Sequence, residues 1–415
     1  MQRRTDPRSP RLLTALVCVL LLLLTACAGD EEGDGGTGGS GPIVVGGTLG
    51  LTGQYSGPSA AYKATYEFWA NQVNQQGGLL GRKVELRIYD DESNPTTAQQ
   101  LFQRLISQDQ ADLLLAPYTT AVGGAVVPLT ERAGKILWDA GFVSAKLHDE
   151  SKRLVTSWPY QEPEYPRPFF ELFKTLPADQ KPKTLAVVTA QNPFTLVARD
   201  GYQGQGGVLN YAKEQGIRVV YNEEYDTRAT DLSGLIQGAK AARPDAFIAL
   251  SLPNDAALIA RTVSQLAFAP KLYCSCGSQV TTLPNWKDLG AAGNNVFSTT
   301  TAWPTQDNPG LQDLFTHLQE RFGYTQLPAY AAGGLAILQV MQQAVKGANT
   351  LDQQKLREYV GSNTFKTAVG DFKYKPDGTL EFGALLVQYQ GNKNEVVWPD
   401  DVKTGVARVP FKSGQ

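Results

Sequence analysis

Cysteine, histidine and methionine are scarce in this chain, with four, two and two among 415 residues. Cys18 and Cys27 belong to an N-terminal apolar stretch, which leaves Cys274 and Cys276 for the folded part. Side chains two apart on an extended strand share a face, and a bridge across one residue is strained. The pair therefore reads as free buried thiols. With His148 and His317 as the only imidazoles, a zinc site lacks ligands and a Ser–His or Cys–His nucleophile pair finds no suitable motif. No metal and no cofactor is expected. An excess of charge is missing too: 38 Lys and Arg against 40 Asp and Glu give a net charge of −2. Without a basic face, nucleic acid is not an expected partner.

What the chain does have is length and apolar content. With 415 residues at 42% hydrophobic composition, it can bury two lobes of core. Arg3, Arg4, Arg8 and Arg11 precede "LLTALVCVLLLLLTA", which ends at Cys27 before Ala28 and Gly29. A basic start, an apolar run and small residues make an export signal over 1–26. An uncleaved anchor is the alternative, since the run is nearly long enough to span a bilayer. Residues 27–41 continue as "CAGDEEGDGGTGGSG", which after the cysteine is too poor in apolar side chains to order itself and reads as a flexible tether.

Periodicity organises the rest. "PIVVGGTLGLTG" reads as a strand and loop, "AAYKATYEFWANQVNQQGG" as an amphipathic helix, and "KVELRIYDDE" as a strand. The helix "TTAQQLFQRLISQ" and the strand "ADLLLAP" follow. The alternation restarts with "KTLAVVTA", a helix over "ARDGYQGQGGVLNYAKEQG", "IRVVYNEEY", "TDLSGLIQGAKAARP", "DAFIALSL" and "NDAALIARTVSQLAF". Two α/β units with parallel sheets are expected. The Pro-rich and aromatic "SWPYQEPEYPRP" marks a passage between them.

Enzyme motifs are weak. Asp90, Asp91 and Glu92 in "YDDES" sit at a strand end, where acids more often cap turns than form an acid/base pair. "GYQGQGG", Gly201 to Gly207, has the glycine content of a phosphate loop. It falls inside the expected helix, not in the turn that opens one. The chain is not expected to be an enzyme.

"LTGQYSG", "VNQQGGLLGRKVELRIYDDESNP", "LISQDQADLLLAPYTTAV", "GKILWDAG" and "VVWP" together resemble the leucine/isoleucine/valine-binding class of ABC-transporter solute-binding proteins. The resemblance spans nearly the whole chain after the tether. It implies the type I periplasmic-binding-protein fold: two Rossmann-like lobes, three crossovers and a ligand in the cleft between them. On that basis lobe 1 is expected over 43–156 plus 299–375, lobe 2 over 157–298 plus 376–402, and a C-terminal tail over 403–415. "LTAC", ending at Cys27, resembles a lipobox, so the cysteine would be acylated and the protein tethered to the outer face of a membrane or held in the periplasm. The resemblance further implies a monomer whose partners are a small molecule and the membrane subunits of an importer.

In open α/β sheets, ligands sit beyond the carboxyl ends of strands, at helix N-termini. "APYTTAV" places Tyr118, Thr119 and Thr120 there, and the resemblance matches them to a turn that grips the ligand carboxylate. A threonine that only caps its own helix is the plainer alternative. By the same correspondence Tyr55 and Pro58 flank the first loop, and Ala140, Gly141 and Phe142 follow the "WDAGF" strand. Phe194, Leu252 and Pro253 come from the second lobe. Trp158, Tyr160 and Trp303 are candidate hinge or cleft aromatics, with core packing the competing role.

Amino-acid binders of this class hold the α-ammonium with a threonine after the strand and an acid from the second lobe. Here the strand end reads "DAGFV", and the acid's place falls at about Gly277. An ammonium in a closed cleft without a counter-charge is costly, which favours a carboxylate with an apolar or aromatic body and no amine. Asp139 could itself meet an ammonium, or simply bond nearby backbone. A true branched-chain amino acid ligand remains an alternative. So does a ligand-sensing role, although the absence of a second apolar span or signalling domain suits delivery to an importer better.

Overall fold

Segments that alternate between apolar strands and amphipathic helices build two separate sheets in the computed structural model, which describes residues 41–276, 279–303 and 306–411. The export signal, Cys27, nearly all of the tether and Gly277 lie outside the described residues. The first sheet contains β1 (Ile43–Leu49), β2 (Val84–Asp90), β3 (Leu113–Leu115), β4 (Leu137–Asp139) and β5 (Leu154–Thr156). Its order is β2-β1-β3-β4-β5, parallel throughout. The connecting helices are α1 (Ser56–Gln75), α2 (Pro95–Ser107), α3 (Thr120–Arg132) and α4 (Ala145–Glu150).

After α5 (Arg167–Thr175), the second sheet is laid down by β6 (Thr184–Ala190), β7 (Arg218–Tyr225), β8 (Ala246–Leu250), β9 (Leu272–Ser275) and β10 (Phe297–Thr300). Between them run α6 (Pro193–Asp200), α7 (Gly207–Glu214), α8 (Ser233–Ala241) and α9 (Pro253–Gln265). The chain then returns to the first sheet with α10 (Leu311–Phe322), α11 (Ala329–Ala348), α12 (Gln353–Ser362) and the hairpin β11 (Thr364–Thr367) and β12 (Gly370–Lys373). It crosses back to finish the second sheet with β13 (Leu385–Gln390) and β14 (Lys393–Trp398). That sheet's order is β14-β13-β10-β9-β8-β6-β7, with antiparallel pairing only at β10/β13 and β13/β14.

The strands read as unbroken apolar runs because helices cover both faces. In β6, Leu185 and Val187 join one core cluster while Ala186, Val188 and Ala190 join the other, which is the period of two expected of a strand. The first lobe has one large cluster, in which α1 and α11 pack side by side.

Four expectations need correction. Cys274 and Cys276 are joined by a disulfide with Cα atoms 5.2 Å apart. Two residues of straight strand would span more than this, but β9 ends at Ser275 and the chain turns, which brings the cysteines to bridging distance. The "GYQGQGG" segment is not helical: α6 stops at Asp200, Tyr202 and Gln205 form a tight antiparallel bridge, and α7 begins at Gly207. Gly201, Gly204, Gly206 and Gly207 all have positive φ, which an uninterrupted helix does not allow. Thr299 and Thr300 still belong to β10, paired with Leu386 and Leu385. Finally, 403–411 is no free tail, since Arg408 N–H donates to Gln388 Oε1 (2.7 Å) and Phe411 is buried edge-on against Tyr273.

The first passage between the sheets, 157–166, is fastened to the first lobe. Ala145 N–H donates to Glu162 Oε2 at 2.6 Å, and Ser144 N–H donates to Gln161 Oε1 at 2.9 Å. Burial pushes the Glu162 carboxyl up from 4.5 to about 7, against the pull of the Ala145 hydrogen bond. Between those values the folded protein keeps a proton that the unfolded chain has released. This group's contribution is therefore fully present below pH 4.5 and is lost as pH rises to about 7, by roughly 3 kcal/mol. Glu162→Gln should flatten that part of the stability profile. Urea midpoints at pH 5 and 7.5 check this, and an unchanged slope in the variant would refute it.

Candidate functional site

Parallel sheets leave a crevice where the strand order reverses. In the first sheet the reversal lies between β1 and β3, and in the second between β6 and β8. The loops leaving β3, β6 and β8 meet across one cavity. Its lining is Tyr118, Thr119 and Thr120 at the start of α3, Gly141, Phe142 and Val143 after β4, Phe194 on α6, and Leu252 before α9. Trp158 and Tyr165 from the first passage, Gln279 after β9 and Tyr330 on α11 complete it. The site encloses about 420 Å³ of atom-free space, open solvent included. Phe142, Trp158, Gln279 and Tyr330 are each only 3% exposed, so the lobes are closed over it. At the rim, Asn254 Nδ2 donates to the Gln54 carbonyl at 3.3 Å across the lobes.

The first-lobe wall is a helix N-terminus. Thr119 is the N-cap of α3, its Oγ1 accepting from Ala121 N–H at 3.3 Å, and Thr120 Oγ1 donates to the Val143 carbonyl at 2.9 Å. Thr119 thus caps its own helix, while Thr120 ties that helix to the turn after β4. Ala121 N–H is met by Thr119 Oγ1, and those of Val122 and Gly123 by the Thr119 carbonyl. The Thr119 O–H, the Thr120 N–H and the positive end of the helix dipole suit an anion.

The wall after β4 rests on Asp139. Its Oδ1 accepts from the N–H of Gly141 (2.8 Å) and of Phe142 (3.0 Å). The carboxyl is fully buried, and that burial raises its pKa well above the ordinary carboxylate value. Asp139 does not line the cavity, so it supports the turn and does not serve as a charge partner. Ala140 does not line it either: its carbonyl accepts from the Tyr62 hydroxyl and from Trp158 Nε1 (3.0 Å), which locks the indole in place. A side chain at Gly141 would collide with the Pro117 carbonyl, so only glycine permits this approach of the β3 and β4 ends.

Other anticipated residues sit behind the wall. Tyr55 meets Tyr118 edge-to-face with centroids 5.5 Å apart, and Pro58 and Pro253 are buried in the first turns of α1 and α9. Tyr160 packs between Trp158 and Tyr165. Trp303 lies against Leu385, Val387 and Val396, away from the cavity. Asp90 and Asp91 hold turns, accepting from Thr52, Thr48 and the N–H groups of Glu92 and Ser93. Sequence reasoning missed Val143, Tyr165, Gln279 and Tyr330. Tyr165 carried a signal, being in the aromatic passage already singled out. Tyr330, in a helix remote in sequence, carried none.

Among the described residues no charged side chain lines the cavity, and six of the twelve liners are aromatic. Such a site can enclose an apolar or aromatic body and hold one polar group at the α3 N-terminus.

Residues 42–394 match the periplasmic binding protein family. The chain belongs to that family. A relative in Brucella abortus, a Leu/Ile/Val-binding protein homolog, is 23% identical over 364 residues, covering 83% of this chain and 88% of its own. Among solved structures, a branched-chain amino acid substrate-binding protein of Streptococcus pneumoniae, bound to isoleucine, superposes with a TM-score of 0.72 at 15% identity. It covers 86% of this chain and 98% of its own. A solute-binding protein of R. palustris in complex with benzoate gives 0.74 at 18% identity, over 90% and 98% of the two chains. This binding protein thus has the type I fold of two lobes. Its relatives are binding proteins, not enzymes, and its family implies an extracytoplasmic location.

The support role of Asp139 is testable. Burial pushes this carboxyl toward its neutral form, which an amide resembles, so Asp139→Asn should cost under about 1 kcal/mol. Asp139→Ala, which strands two buried N–H groups, should cost about 2–4 kcal/mol. Equal stabilities of the two variants in urea unfolding would show that Oδ1 is not what holds the turn.

Proposed function

We propose that this binding protein captures a small carboxylate with an apolar, preferably aromatic, body and no ammonium, and delivers it to an ABC importer from a lipid anchor at Cys27. The observation that carries the reading is the chemistry of the lining: a helix N-terminus on one side, aromatic walls elsewhere and no acid to meet an ammonium. Three acids on segments that also supply or flank lining residues are otherwise engaged. Asp139 supports the β4 turn, Glu162 caps α4, and Asp255 in the first turn of α9 lies 3.4 Å from the Tyr225 hydroxyl. The benzoate complex of the R. palustris protein supports an aromatic acid in this fold.

Binding works through closure. Tyr118 and Phe142 belong to one lobe and Phe194 and Leu252 to the other, so a ligand touches all four only when the lobes meet. It shifts the open–closed equilibrium by that difference in affinity. The importer would then read the closed shape. A branched-chain amino acid is the second reading, favoured by the names of the relatives.

A thermal-shift screen of the purified protein against benzoate, aliphatic carboxylates and leucine, isoleucine and valine separates the two. A ligand at about 100 times its Kd adds about 2.7 kcal/mol of stability. Stabilisation by amine-free carboxylates, weakened at least about tenfold by Phe194→Ala, is expected. Stabilisation by the amino acids alone would overturn the proposal. Loss of carboxylate uptake on deletion distinguishes import from sensing.

A further inference from the structure

Apart from the Thr119 O–H left for the carboxylate at the α3 N-terminus, the side-chain polar groups of the cavity have partners except in one corner. Thr120 Oγ1 donates to the Val143 carbonyl, Trp158 Nε1 is held by Ala140, and the Tyr118 hydroxyl donates to that of Tyr330 at 3.4 Å. Gln279 Oε1, on a side chain only 3% exposed and lining the cavity, has no hydrogen-bond partner among the described residues. The Tyr165 hydroxyl, equally buried, has Gln279 and Tyr160 as polar neighbours but makes no hydrogen bond of good geometry among the described residues. Buried polar atoms are rarely left in this state, and those that line a cavity are the ones a ligand can satisfy.

The backbone adds a second reason to assign Gln279 a task. Its φ of 52° and ψ of 28° place it in the left-handed region, which glycine and asparagine enter readily and glutamine does not. It is pinned there because its carbonyl accepts from Thr282 N–H at 3.1 Å and Thr282 Oγ1 at 2.7 Å. A strained residue held by its surroundings, with its side chain lining a site, is the pattern of a preorganised contact.

We propose that Gln279 and Tyr165 form a corner that reads a hydroxyl group on the ligand, so that the solute is a hydroxylated aromatic carboxylate. A ligand hydroxyl donates to Gln279 Oε1 and accepts from the Tyr165 O–H. An ammonium has three donors and no acceptor, and it would leave the Tyr165 proton unused. This rests on the carboxylate reading above and adds the second polar feature that the ligand must carry. Sites built to bond a hydroxyl discriminate strongly against analogues without one, because their own buried groups are then left unpaired.

The experiment measures Kd by calorimetry for benzoate and for 2-, 3- and 4-hydroxybenzoate, on the wild-type protein and on Gln279→Met and Tyr165→Phe. At least one hydroxylated isomer is expected to bind the wild type tenfold or more tighter than benzoate. The ratio is expected to fall to threefold or less in both variants. If benzoate binds and no isomer is preferred, or if the preference survives in Gln279→Met, the hydroxyl corner is wrong while the carboxylate reading stands. If none of the four acids binds the wild type, both fall. A variant that fails to fold leaves the wild-type ratio and the other variant to decide.

Discussion

Everything at the cavity depends on how the chain leaves β4. Asp139 gathers the N–H groups of Gly141 and Phe142, Gly141 lies against the Pro117 carbonyl, and the Ala140 carbonyl takes hydrogen bonds from Tyr62 and Trp158. Through these contacts one four-residue turn joins the end of β3, helix α1 and the first interlobe passage. Phe142 in turn presses on Gly123 of α3, where a side chain would strike its ring. The helix whose N-terminus faces the cavity and the turn that forms the neighbouring wall are therefore set against each other by packing, with little freedom to drift.

That rigidity explains why the acids near the site are structural. Asp139 is fully buried and Glu162 nearly so, and both are pushed toward the protonated form by burial while accepting backbone hydrogen bonds. An acid pushed toward its neutral form and already committed to backbone donors is poorly placed to give a ligand negative charge. The electrostatic character of the cavity is set instead by partial charges: the α3 N-terminus on one side, amide and phenol dipoles on the other. Such a site selects by shape and by hydrogen-bond pattern more than by net charge.

The two sheets contribute unequally. The first lobe brings the helix terminus and a pre-shaped turn, while the second brings Phe194 and Leu252, with Gln279 on a loop held in a left-handed conformation. The passages between the sheets are themselves walls, since Trp158 and Tyr165 lie on one of them. Closure and ligand contact are for that reason the same event at these residues, not two events linked at a distance.

Sequence by itself determined the two sheets and their parallel character, because strand and helix periods differ and a βαβ order admits few topologies. It also determined which loops could face a cleft, since the carboxyl end of a strand is known once the strand is known. Thus Tyr118 to Thr120 were identifiable from a strand end, and Gly141, Phe142, Phe194 and Leu252 through the family resemblance. Glycine content alone did not tell the interrupted "GYQGQGG" from a helix, because apolar spacing on either side of Gly201 to Gly206 continues in helical phase. Tertiary structure alone decided that Tyr330 and Gln279 reach the cavity, that Asp139 turns away from it, and that Cys274 and Cys276 meet. Each of these depends on where a side chain points once distant segments have packed, and the direction of a side chain is fixed by its neighbours in space, which spacing along the chain does not encode.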